Sequence, residues 1–216
     1  MKIIALLLIL VFGWLSCTKL KASKSEKFWA WFSSHQEELF DFEKNQEEVF
    51  DQLSKELRKV DSNLTFEFGP KENGVREFVI SADGILSSFP AVETLYAAKP
   101  DLKRWQVLKF RPRREASLDL ELGGIRITKS DLKFALTKSA DPGKVGIAVF
   151  IRGYKEEDHP KYIQACFLVL DGLVGEYDME TKVGAIDLYG FDSPHIENAQ
   201  QMDSLPSKFD AHFAGK

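Results

Sequence analysis

Only two cysteines occur in 216 residues, Cys17 and Cys166, which excludes a disulfide framework and a structural zinc site. The common catalytic signatures are missing too: there is no GxSxG elbow, no P-loop, no HExxH and no dinucleotide GxGxxG. No basic excess is present either. The formal net charge is −4, and that mild acidity argues against a nucleic-acid partner, which requires a basic face. No self-similarity at solenoid spacing is visible. What the chain does have is apolar matter: hydrophobic residues make up 44% and aromatics 12%, enough to fill a core and to exclude disorder.

The first seventeen residues carry the strongest local pattern. Lys2 is followed by ten apolar residues, Ile3 to Phe12, then by a glycine, a small residue and Cys17. Charge, apolar stretch and small residue in that order describe an export signal. The apolar run is too short to span a membrane, which takes about 20 helical residues. The expected division is a signal peptide over 1–16 and Cys17 as a lipidated first mature residue. Residues 17–24 would then be a short basic tether whose lysines lie near anionic headgroups. Trp14 departs from the lipobox, where a smaller aliphatic is usual; Ser16 fits it. The localisation expected is the cell envelope, membrane-anchored through Cys17.

Periodicity divides the rest. Residues 25–62 read as a helical pair or one kinked helix, with Phe28, Trp31, Phe32, His35 and Leu39 on one stripe. Trp29 and Phe40 fall off that stripe, so the segment must also pack a second face. From residue 64 the period changes to two, with a hairpin over 64–82 closed by a turn at 70–74. A helix follows over 89–98, with Pro90 in its first turn. Strands are expected at 104–113, 117–124, 133–140, 144–153 and 183–191, and a helix at 162–177. The run at 144–153 is apolar on both faces and predicts a central strand. The fold class expected is α+β: an N-terminal helical pair packed on a mostly antiparallel sheet of six to seven strands, with two further helices, over 63–190. Residues 191–216, polar and broken by Pro194 and Pro206, are expected to form a poorly ordered tail.

Three clusters could carry chemistry. Glu156, Glu157, Asp158 and His159 could hold a divalent ion, but Asp158 before His159-Pro160 reads better as a helix N-cap, so no metal and no cofactor are expected. Arg111, Arg113 and Arg114 end one strand and could bind a carboxylate or phosphate ligand in bidentate fashion, or pair with Asp119 and Glu121. Asp171, Glu176, Tyr177, Asp178 and Glu180 end the last long helix, where the 171–178 spacing puts two aspartates on one face. Glu176 and Asp178 are the acid–base candidates; Arg111, Arg113 and Tyr177 are the ligand-binding ones. Cys166, in an apolar run, reads as an inert buried thiol.

The phrases FWAWF (28–32), FVISADGI (78–85), FPAVETL (89–95), WQVLKFRPR (105–113) and GEYDMETKVGAI (175–186) resemble, in this order, a group of bacterial hypothetical proteins of unassigned function. The resemblance implies no activity, and members of that group often look cytoplasmic. It does point to the surface near Arg111, Arg113, Glu176 and Tyr177. The reading drawn from the residues is an exported, lipid-anchored binding or interaction domain without catalysis, its partner a protein or small molecule. The alternatives are a small-molecule hydrolase using a carboxylate and arginine groove, and an immunity or inhibitor protein of a secreted toxin.

Overall fold

The computed structural model describes residues 22–114 and 119–214. The expected signal peptide, the Cys17 lipidation site and most of the tether lie outside the described residues. Among those described, no helix is long and apolar enough to cross a membrane.

The fold is α+β and has two cores. Ser23 opens the first half: its Oγ accepts from the Glu26 amide while the Glu26 carboxylate accepts from the Ser23 amide. Both orphan donors of the first turn are thereby satisfied, and helix α1 begins at Lys24 (Lys24–Phe40). Helix α2 (Gln46–Val60) returns against it after a short 3-10 turn. Strands β1 (Thr65–Glu72) and β2 (Val75–Ser81) form an antiparallel hairpin, closed at Asn73-Gly74, where both φ angles are positive. Helix α3 (Phe89–Ala97) crosses over to β3 (Trp105–Lys109), which lies parallel to β2. The two aromatics off the α1 stripe are buried here. Trp29 donates its indole N–H to the Leu95 carbonyl at 2.7 Å, and Phe40 meets Trp105 edge-on.

The second half starts with a small hairpin, β4 (Leu120–Leu122) and β5 (Ile125–Ile127), turning on Gly123-Gly124. Strands β6 (Leu132–Lys138) and β7 (Val145–Ile151) pair antiparallel. Helices α4 (His159–Val174) and α5 (Glu176–Lys182) lead to β8 (Val183–Gly190), parallel to β7. Every residue of β7 is buried between β8 and β6, as its two apolar faces require.

Both halves thus contain a hairpin, a crossover helix and a strand parallel to the second hairpin strand. The spacing is regular: β2 and β7 start 70 residues apart (75 and 145), as do α3 and α4 (89 and 159), each helix with proline in its first turn (Pro90, Pro160).

The expected single sheet is therefore three sheets, of three, two and four strands, and two of the pairings are parallel. Alternation tells which residues face a core but not which strands pair, so the division was invisible to it. The helix expected at 162–177 breaks at Gly175, whose φ of +86° lets α4 stop and α5 start at once. Residues from Asp192 are not a loose tail. They form a 3-10 turn, a short strand β9 (Gln200–Gln201) on the edge of β6, and helix α6 (Leu205–Ala214). Leu205 and Phe209 are fully buried in the second core. Pro206 sits near the start of that helix, where a missing N–H costs nothing.

One buried charge stands out in the first core. Arg76 is 1% exposed; its Nη2 pairs with the Glu43 carboxylate, while Nε and Nη1 have no partner. Its guanidinium lies 4.3 Å from the Phe42 ring centroid, with Phe40 and Phe68 further off. Two unsatisfied donors on a buried ion cost more than a same-sized apolar side chain would. We expect Arg76→Met to be neutral or to stabilise the fold by about 1–4 kcal/mol in urea denaturation. The Arg76 hydrogen bond holds the Glu43 carboxyl at about 2, below its ordinary 4.5. Its contribution is thus present above pH 4.5 and lost as pH falls toward 2. The acid limb of the stability profile should be shallower in Arg76→Met, and a clear loss of stability at pH 7 would refute the account.

Candidate ligand groove at the seam between the halves

Because β2 and β3 run parallel, their carboxyl ends meet at one edge, and the segments leaving it are Ala82-Asp83-Gly84 and Phe110-Arg111. Crevices at such ends are where ligands bind in open α/β sheets. Of the three non-glycine residues with positive φ among those described, two lie here, Asp83 at 51° and Phe110 at 61°. For a residue as bulky as Phe110 that conformation is strained, and such strain persists only where surroundings fix it. Phe110 is fixed by ring contacts with Phe89 at 4.5 Å and Tyr177 at 5.2 Å.

The second half contributes Glu176, first residue of α5 and completely buried. Its Oε1 accepts from the amides of Ala82 (3.0 Å) and Gly84 (3.2 Å), and its Oε2 from the amide of Arg111 (2.8 Å). Its own amide donates to the Arg111 carbonyl at 3.0 Å. One carboxylate from the second half thus satisfies three strand-end donors of the first.

Above it lies Arg111. Its Nε donates to Asp171 at 2.7 Å, and its Nη1 to Ser81 Oγ and Asp83, each at 3.0 Å; Glu67 stands 3.8 Å away. Burial disfavours the Arg111 cation, yet Asp171, Glu176 and Asp83 outweigh it and raise its pKa. The Asp171 carboxyl is also pushed up, first by burial and further by Glu176 and Asp83, despite its bond to Arg111. Both partners move upward because one guanidinium faces several carboxylates. Glu180 is raised by burial, with Asp171 and Glu176 adding to it and Lys144 opposing. Glu67 is raised by burial as well.

These side chains border a cavity of about 510 Å³. Asp83, Arg111, Asp171 and Glu180 form its polar wall, and Leu122, Met179, Phe167 and Leu168 its apolar side. A neighbouring hollow shares Phe167, Met179 and Glu180 and extends the groove toward His159 and β8. Phe167 and Leu168 are 47% and 56% exposed, an apolar pair that no described residue covers.

Of the residues in the clusters read from sequence, Arg111, Asp171 and Glu180 line the groove and Glu176 lies beneath it. Arg113, Tyr177 and Asp178 stand outside. Arg113 donates to the Val174 carbonyl, to Asp178 at 2.8 Å and to Asp210 of α6, which ties the linker to the second half. Tyr177 packs its ring on Phe89 and Phe110. Because Gly175 breaks the helix, Asp171 and Asp178 do not share a face; each takes a different arginine. The arginines do not pair with Asp119 or Glu121, since Arg114 bonds Glu77 and Asp119 bonds Arg126. Asp158 occupies the N-cap position of α4 but makes no capping bond and pairs with Lys161 instead. Glu156 and His159 both bond the Tyr154 hydroxyl, and no metal-ligating cluster of three occurs among the described residues. Cys166 is buried, its thiol pushed up to about 12 by desolvation. In the sequence Phe167 reads only as one of the apolar residues of the 162–177 helix and Asp83 only as a turn residue, and Leu168 carries no signal, so none of the three is marked there as a site residue. Comparisons with protein-family models, with curated proteins and with solved structures find no match for this chain.

Proposed function

We propose that the protein is an exported, lipid-anchored binding domain of the cell envelope that holds a small ligand in the seam groove and does not transform it. The observation carrying this reading is the groove itself. It is open and has an uncovered Phe167–Leu168 edge, and its volume lies within the range of about 300–1,000 Å³ usual for ligand sites. Its arginine is already engaged, Arg111 with Asp171 and Asp83 above a buried Glu176. Among the described residues no serine, cysteine, threonine, lysine or histidine lines the 510 Å³ cavity, and His159, at the neighbouring hollow, is bonded to Tyr154, so a nucleophile in the cavity would have to be a carboxylate or water.

The hydrolase reading retains one supporting observation, the raised carboxyls of Asp171 and Glu180, which is the condition for acid–base work. Exposing the full chain to an envelope extract and weighing the complex by native mass spectrometry separates the readings. Retention of an unchanged small molecule, lost in Leu168→Glu, is the result expected. Conversion of the molecule to product favours the hydrolase, and no retention at all removes both. For the anchor, fatty-acid-analogue labelling should mark wild type and not Cys17→Ala.

A further inference from the structure

We infer that the groove takes a small amphipathic cation: an amine or guanidinium carrying a short apolar or aryl group. The inference rests on the reading of the groove as a binding site and specifies what binds there. Its basis is charge complementarity in a cavity that also has an apolar side. Asp83, Asp171 and Glu180 line the cavity, Glu176 lies under it, and Glu67 stands behind Arg111. Against these carboxylates stand Arg111, Arg114 on the Glu67 side, and at the margin Lys144, whose Nζ donates to the Glu180 carbonyl at 3.0 Å.

Among the described residues lining the cavity, three carboxylates, Asp83, Asp171 and Glu180, face one cation, Arg111. Asp171 and Glu176 add to the cost of ionising Glu180, Glu176 and Asp83 to that of Asp171, and Arg111 is already shared among Asp171, Asp83 and Ser81. An anionic ligand would have to displace Asp171 from Arg111 and then sit among the remaining carboxylates. That is the opposite of the bidentate anion capture expected from the arginine cluster. A cation beside Asp83 and Glu180 is attracted by both and offsets the repulsion that Asp171 and Glu176 exert on Glu180, in a site drier than the open surface. The apolar part of such a ligand would lie along Met179, Leu122 and the exposed Phe167–Leu168 pair, losing contact with water as it covers them. Phe167 offers a ring face for either the hydrocarbon or the cation.

Calorimetric titration of the full chain with 2-phenylethylamine, 2-phenylethanol and 3-phenylpropionate tests this, since the three share a ring and differ in charge. The amine should bind about tenfold tighter than the alcohol, with the carboxylate weakest. Glu180→Gln and Asp83→Asn, both at the cavity wall and each checked for unchanged Tm, should weaken the amine about fivefold and leave the alcohol alone. Alcohol or carboxylate binding as tightly as the amine would overturn the cation inference while leaving a binding groove in place. Amine binding unaffected by both substitutions would overturn it too, by locating the amine elsewhere. If none of the three binds, the binding reading falls with it.

Discussion

Replacing Glu176 by alanine is expected to lower stability by about 3–5 kcal/mol, because three buried amides and the loops that bear them lose their common acceptor. For a chain of this size that corresponds to a Tm lower by roughly 10 °C. Glutamine keeps one acceptor oxygen but turns an NH₂ group toward at least one of the amides, so Glu176→Gln should fall between alanine and wild type. The loss should also have a signature that a lost core contact lacks. Of the four tryptophans, Trp29, Trp31 and Trp105 belong to the first half and Trp14 falls in the expected signal peptide, so the fluorescence of a chain starting at residue 17 reports mainly on that half, whereas circular dichroism reports on both. In wild type the two probes should give one urea midpoint; in Glu176→Ala they should separate as the halves unfold independently. Coincident midpoints with a loss under about 1 kcal/mol would mean that the seam is held elsewhere, by Arg111–Asp171 or by the Phe89, Phe110 and Tyr177 rings.

The parts of this fold visible in the sequence are those governed by periodicity and local chemistry. Trp29 and Phe40 off the α1 stripe announced a second packed face, and the doubly apolar 144–153 run announced a central strand; both follow from residues near one another in the chain. Pairing between distant segments left no such trace. That β3 lies parallel to β2, and β8 to β7, depends on crossover helices whose lengths differ, nine residues in α3 against the sixteen of α4 followed by α5. The 70-residue recurrence is hidden for the same reason: Val75 and Val145, Val79 and Val149, and Pro90 and Pro160 align, while most other core identities diverge. Gly175 was read as a helix interior because one glycine in an apolar helical pattern is tolerated at a cost of about 1 kcal/mol.

The groove shows the same limit more sharply. Arg111 and Glu176 were singled out for their charge, and the fold does bring them together, but as a buried acceptor and a bridging cation. Their engagement is set by Ala82, Asp83 and Gly84, about 90 residues before Glu176, and nothing in either segment names the other. Arg113 and Asp178 looked equivalent to them and instead fasten the linker to α6. Charged residues near helix ends reveal where a fold concentrates its ion pairs. Which of them border an open cavity depends on the packing of the two halves.

The last helix provides the second large effect. Phe209→Ala should cost about 3–5 kcal/mol, the range for emptying a fully buried aromatic site. The ring belongs to the second core with Leu205 and Met202, meets Phe213 at 5.0 Å, and lies under the Arg113 guanidinium at 5.8 Å. Arg113 in turn holds Asp210 one residue further along α6. Removing the ring therefore loosens both the core and the support of the linker that carries Arg111 to the groove. With Glu176 in place, fluorescence and circular dichroism should shift to lower urea together, because damage in the second half is transmitted through the seam. A surface-draped tail would behave otherwise: substitutions in it fall within about ±0.5 kcal/mol. A Phe209→Ala midpoint within that margin would return residues 192–214 to the status of a loose extension and would remove α6 from the account of how the groove is held.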